Sequence, residues 1–203
     1  MKNVSLSISI FAAAMFPVTA QPASKRSEKP ALPLTAPVYL SQSALPKGWP
    51  APGPFDQVTR KKYPAYRAAF TASSSPNGGF WTLFKHIQSN GIPMSSPVEM
   101  TMKEKPEGGM AMEQMGFLYQ SPAVGKRGAD GPNVSVRDVS ALSVLSYTWQ
   151  GPRTDAEVTK ARAAIEAVRL RKKLQVTGYR LFGYNSPSVP KNKQTHELQA
   201  VLK

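Results

Sequence analysis

The chain has no cysteine. That excludes disulfide stapling, thiolate metal ligation, thiol redox control and a lipoprotein anchor, so the core alone must hold the fold. It also excludes covalent c-type heme attachment, which needs Cys-x-x-Cys-His. Histidine is nearly as scarce, with only His86 and His196. Acidic residues number 12 against 26 Lys and Arg, a formal net charge of +14. No apolar run is long enough to span a bilayer, so no transmembrane segment is expected. Gly-x-Ser-x-Gly, His-Glu-x-x-His and a phosphate loop are all missing from the sequence. An enzyme then lacks the usual nucleophile and metal signatures, and a non-enzymatic protein is expected.

What is present divides into three stretches. Residues 1–20 read as a secretory signal peptide, with Lys2 as a short positive start and an apolar stretch over residues 4–16. Pro17 ends that stretch, and Val18-Thr19-Ala20 supplies the small residues before cleavage. Cleavage is expected after Ala20, which would leave a periplasmic or secreted protein. Residues 21–54, rich in Pro, Ala, Ser and Lys, read as a linker with polyproline character that lays Trp49 onto the domain. Residues 55–203 remain, roughly 150 residues and enough for one domain with its own core. The basic residues are scattered, for example Arg60, Lys61 and Lys62, then Lys126 and Arg127, then Arg169, Arg171, Lys172 and Lys173. They suit either attraction to an anionic envelope surface or a solvated face. No nucleic-acid motif accompanies them, and no nucleic-acid partner is expected.

The domain reads the same pattern twice, over residues 55–119 and 134–202. Each half offers two strand-like runs, an amphipathic helix and two more strand-like runs. Tyr63-Pro64 and residues 138–141 mark tight turns that predict hairpins. In the first half Phe80, Leu83, Phe84 and Ile87 fall at i, i+3, i+4 and i+7, which predicts a helix over 80–88 after a loop at 73–79. In the second, Thr154-Asp155-Ala156-Glu157 is a capping box opening a helix to about 173, with Val158, Ala161, Ile165 and Val168 buried. A duplicated ββαββ unit predicts one α+β domain with a pseudo-twofold axis, because neither half alone buries its apolar faces. The groove between the halves is the natural binding site.

Four stretches together resemble the SOUL heme-binding family. They are Arg60-Lys61-Lys62-Tyr63-Pro64-Ala65-Tyr66, Ile92-Pro93-Met94-Ser95-Ser96-Pro97-Val98-Glu99-Met100-Thr101, Tyr179-Arg180-Leu181-Phe182-Gly183-Tyr184-Asn185-Ser186-Pro187, and His196-Glu197-Leu198. Their order and spacing agree over about residues 55–203. The resemblance implies an antiparallel barrel-like sheet with two packed helices, and it implies non-covalent binding of heme or a related tetrapyrrole. The family's Asn before the C-terminal Glu is replaced here by His196.

Heme needs a flat apolar slot, cations for its propionates and, optionally, an axial ligand. Trp81 and Phe84 can supply flat contact, Met94 an irregular edge, and Lys85 a propionate partner. His86 lies about 110° round the helix from the apolar stripe, which predicts a position on the groove rim and a candidate axial ligand. His196 alternates with Leu198, Ala200 and Leu202, and reads as half-buried near the sheet end. Glu197 points to the opposite face. If buried, it needs donors such as Tyr184 or Tyr179, and it is the one carboxylate on which a small hydrolase or isomerase could rest.

Overall fold

The computed structural model describes residues 36–72 and 75–203. The expected signal peptide and residues 21–35 of the expected linker lie outside the described residues. The elements are β1 (Val58–Tyr63), β2 (Tyr66–Ala72), α1 (Pro76–Ser89), β3 (Val98–Glu104), β4 (Met110–Leu118), β5 (Gly128–Asp130), β6 (Val134–Val139), β7 (Leu142–Gln150), α2 (Asp155–Arg171), β8 (Val176–Gly183) and β9 (Thr195–Leu202). The nine strands form one sheet in the order β1-β7-β9-β8-β3-β4-β2-β6-β5. Set aside the short edge strand β5, and exchange each strand of one half for its counterpart in the other. The order then reads identically from the far end. The pseudo-twofold axis therefore passes between β3 and β8, which pair from Val98↔Gly183 to Met102↔Tyr179. The duplicated α+β unit is present, with two helices packed on the sheet.

The expected hairpins are not. β1 pairs with β7 and β2 pairs with β6, so neither tight turn reverses the chain onto itself. A two-residue hairpin needs positive φ in its turn, and no residue from Tyr63 to Tyr66 has it. The register explains what the turns do. Tyr63 faces Leu142 before the bend and Tyr66 faces Val139 after it, three residues on along both strands. One long antiparallel ladder thus bends at Pro64, and its two arms lie near opposite ends of the strand order. That bend curves the sheet into its barrel-like form.

Strand alternation divides the core in two. One face carries the helices: Leu83 and Ile87 of α1 and Val158, Ala161 and Ile165 of α2 pack with Met100, Phe117, Trp149, Leu181 and Leu198. The other face is aromatic, built from Trp49, Tyr63, Tyr66, Phe70, Phe182 and Tyr184. Trp49 leaves the proline-rich segment to lie on this face, edge-on to Tyr63 and Tyr66 at 4.6 and 5.1 Å.

α1 begins four residues earlier than the periodicity predicts. Ser75 caps it by accepting from the Gly78 amide at 3.3 Å, and Pro76 opens it. Gly78 and Gly79 read as loop in the sequence, yet both lie in the first turn of α1 and Gly79 is buried. The buried set is then Gly79, Leu83, His86 and Ile87, a stripe rotated away from the expected one. Phe80 and Phe84 are half-buried instead.

Candidate functional site: a groove over the pseudo-twofold axis

A cavity of about 840 Å³ opens on the helix face, above the central strands. Its floor is Val98 and Met100 of β3, Met115 of β4 and Gly183 of β8. One wall is the exposed shoulder of α1. Phe80 and Phe84 stack there with centroids 5.9 Å apart, and Trp81 stands edge-on to both at 5.6 and 5.7 Å. Phe80 is anchored to the sheet by Phe117 at 5.2 Å, whereas Trp81 is 65% exposed at the mouth. Met94, Ser95 and Ser96 close the end of that wall. The facing wall comes from the other half: Arg153 and Thr154 at the start of α2, and the loop between β8 and β9 with Tyr184, Asn185 and Lys191.

The electrostatics are one-sided. Among the described residues two cations, Arg153 and Lys191, line the groove and no carboxylate does. Arg153 donates to the Met100 thioether at 2.6 Å. The remaining lining is hydroxyl, amide and apolar surface. Such a cavity admits a flat apolar body carrying negative groups at one edge.

Of the residues predicted from sequence, Trp81, Phe84 and Met94 come together in this lining. Lys85 is exposed and outside it. His86 is not on the rim: it is 6% exposed and buried behind α1. Its Nε2 meets the Tyr119 hydroxyl at 2.7 Å, and its Nδ1 is hydrogen-bonded to Asp130. Asn90 donates to the same Asp130 oxygen at 3.1 Å. Burial first, then Asp130, pushes the Tyr119 hydroxyl up to about 12. The hydrogen bonds from His86 and Asn90 hold Asp130 below its usual value. The rim expectation fails because β5, which no sequence signal marked, carries Asp130 up to the helix. Ligating an iron through His86 would require breaking one of these bonds.

Glu197 is fully buried on the opposite face, as the alternation requires. Its carboxylate accepts from Tyr63 at 2.8 Å, Ser146 at 2.6 Å, Tyr184 at 3.0 Å, Gln199 at 2.5 Å and Lys61 at 2.9 Å. Five donors exceed the roughly four lone-pair positions of a carboxylate, so neither oxygen is left for a substrate. Tyr179, the other donor expected for Glu197, bonds Glu166 of α2 instead. Beside this cluster Arg180 donates to Gln199 at 2.7 Å and to Tyr66 at 2.9 Å, and lies 3.6 Å from Glu99. Burial first, then Glu197, pushes the Tyr63 and Tyr184 hydroxyls well above their ordinary values. This network is a structural lock on the aromatic face, and it touches the groove only through Tyr184.

Sequence reasoning missed Arg153, Lys191 and Gly183. Arg153 precedes the helix cap inside Gly151-Pro152-Arg153-Thr154, where no periodicity points to a face. Only the sheet topology brings it opposite α1.

A duplicated α+β sheet with an apolar, cation-edged groove on its axis is the class this structure defines. Within that class the chain belongs to the SOUL heme-binding protein family, which matches residues 55–199. No curated protein matches the chain significantly. Several solved structures share the fold. The EcmrR C-terminal domain is 13% identical, covering 72% of this chain and 97% of that chain at a TM-score of 0.53. An uncharacterized conserved protein from Listeria innocua is 13% identical, covering 74% and 94% respectively at 0.56. A second Listeria innocua protein, described as a hydrolase, is 11% identical, covering 74% and 94% at 0.54. Likeness at these identities establishes the fold alone. No described helix is long and apolar enough to cross a membrane.

Proposed function

We propose that the protein is an exported, non-enzymatic carrier or sensor of heme or a related tetrapyrrole, held non-covalently in the groove beside α1. The observation that carries this is the groove's chemistry: an aromatic wall of Phe80, Trp81 and Phe84 faces Arg153 and Lys191, with no carboxylate among the lining residues. A tetrapyrrole with two propionates has that same division, a flat apolar ring and an anionic edge. The cavity volume of about 840 Å³ falls inside the roughly 300–1,000 Å³ typical of small-molecule sites. Arg153 takes the propionate role that the sequence assigned to Lys85. The saturated carboxylate of Glu197 supports the non-enzymatic reading.

Burying about 400 Å² of ring contributes roughly 10 kcal/mol gross at 25 cal/mol/Å². Association costs of about 4–15 kcal/mol offset much of it, so micromolar affinity is expected without an axial bond. Titrating hemin into the mature protein should give a saturable Soret shift. Trp81→Ala and the pair Arg153→Ala with Lys191→Ala should each weaken binding about tenfold, near 1.4 kcal/mol. No saturable shift at tens of micromolar, about the range that arithmetic gives, overturns the proposal.

A further inference from the structure

We infer that His196, reached through a notch above Gly183 in the groove floor, supplies the axial nitrogen to the iron of a bound heme. The inference rests on the heme reading of the groove.

The notch follows from the register. On the helix face, Val98, Gly183, His196 and Trp149 lie side by side in one row across β3, β8, β9 and β7. Val98 and Gly183 line the groove, and His196 is the next residue in that row. Gly183 does not have positive φ, so the backbone there does not require glycine. A Cβ built on it would meet the Met100 methyl at 3.9 Å and His196 Nδ1 at 4.0 Å, both ordinary contacts. Packing therefore does not require glycine either. What its missing side chain leaves is space in the floor, bounded by a thioether and an imidazole nitrogen.

His196 has no side-chain partner among the described residues. It is 5% exposed, and no group there reaches hydrogen-bonding geometry with either ring nitrogen, the Phe182 and Gly151 backbone lying only near enough to favour the protonated ring. A buried polar group left unsatisfied is costly, and a ligand atom in the notch would satisfy it. Trp149 packs on the ring at 5.4 Å and fixes its orientation. Burial first, then the Arg153 charge, lowers the imidazole to about 4, while the backbone at Phe182 and Gly151 opposes this only in part. His86, by contrast, has both nitrogens engaged. Met100 is the other soft donor at the notch, but its sulfur accepts from Arg153.

The test compares hemin with metal-free protoporphyrin IX in wild type, His196→Asn, Gly183→Ala and Met100→Leu. Tryptophan quenching reads binding, and absorption with electron paramagnetic resonance of the ferric complex reads coordination. His196→Asn should move the Soret maximum, lose the nitrogen-ligated signature and weaken hemin at least tenfold, leaving protoporphyrin binding unchanged. Gly183→Ala should fold normally and shift the spectrum the same way by a smaller amount. It keeps the test open if His196→Asn does not fold. An unchanged ferric spectrum in both variants, or loss of the signature in Met100→Leu alone, overturns the inference while the heme reading stands. Binding of neither porphyrin by wild type overturns both.

Discussion

Glu197 and His196 are neighbours on β9, and the pleat sends them to opposite faces with opposite outcomes. Glu197 meets five donors, including the Lys61 ammonium at 2.9 Å. Removing it strands a buried cation and three hydroxyls. Glu197→Ala should therefore destabilise the fold by about 3–5 kcal/mol in urea unfolding, and a loss below about 1 kcal/mol would count against the lock. His196 meets no side-chain partner among the described residues, and its folded value of about 4 lies below the ordinary 6.5. The unfolded chain then binds the proton more readily than the folded one between those values. Its contribution should be level above pH about 6.5, fall as pH drops from there to about 4, and be level again below, with an amplitude of a few kcal/mol. Arg153 is the charged group facing it and stays cationic throughout. Subtracting the apoprotein stability curve of His196→Asn from that of wild type should isolate this slope. Parallel curves would mean the ring is not held neutral.

At the scale of elements, two glycines show how differently the same deletion acts. Gly183 leaves open floor, whereas Gly116 of β4 is occupied space. A Cβ at Gly116 would lie 2.7 Å from the Phe70 ring. That ring is 2% exposed and packed in the aromatic face, so moving it aside disturbs its neighbours. Gly116→Ala should cost about 1–3 kcal/mol through overpacking, while Gly183→Ala should be close to neutral in the same thermal melt. Equal costs would contradict the assignment of Gly183 as a notch. Element boundaries follow the same logic. α2 starts where the sequence places it, because Thr154 accepts from the Glu157 amide at 3.2 Å. α1 starts early, because the Ser75 cap and Pro76 open a first turn through Gly78 and Gly79 that propensity alone penalises.

For the whole molecule, duplication decides where the groove sits. Two halves related by an axis between β3 and β8 place the α1 shoulder opposite the start of α2, and the groove lies between them. The proposed export rests on residues 1–20, which the sequence leads us to expect as a cleaved signal peptide. Intact mass measurement on protein recovered from outside the cytoplasm should show Gln21 as the first residue; a retained Met1 would refute the signal peptide.

Composition and periodicity were enough for the duplicated ββαββ unit, the α2 cap and the two faces of β9, because each depends on spacings along the chain. Only the tertiary structure decided the rest. Strand pairing at Pro64 is with β7 and β6, partners more than seventy residues away in sequence, and not across the turn. His86 was buried by Asp130 from a distant edge strand, and Arg153 was brought to the groove from the other half. Such contacts arise where elements cross, and local spacing does not encode which elements will meet.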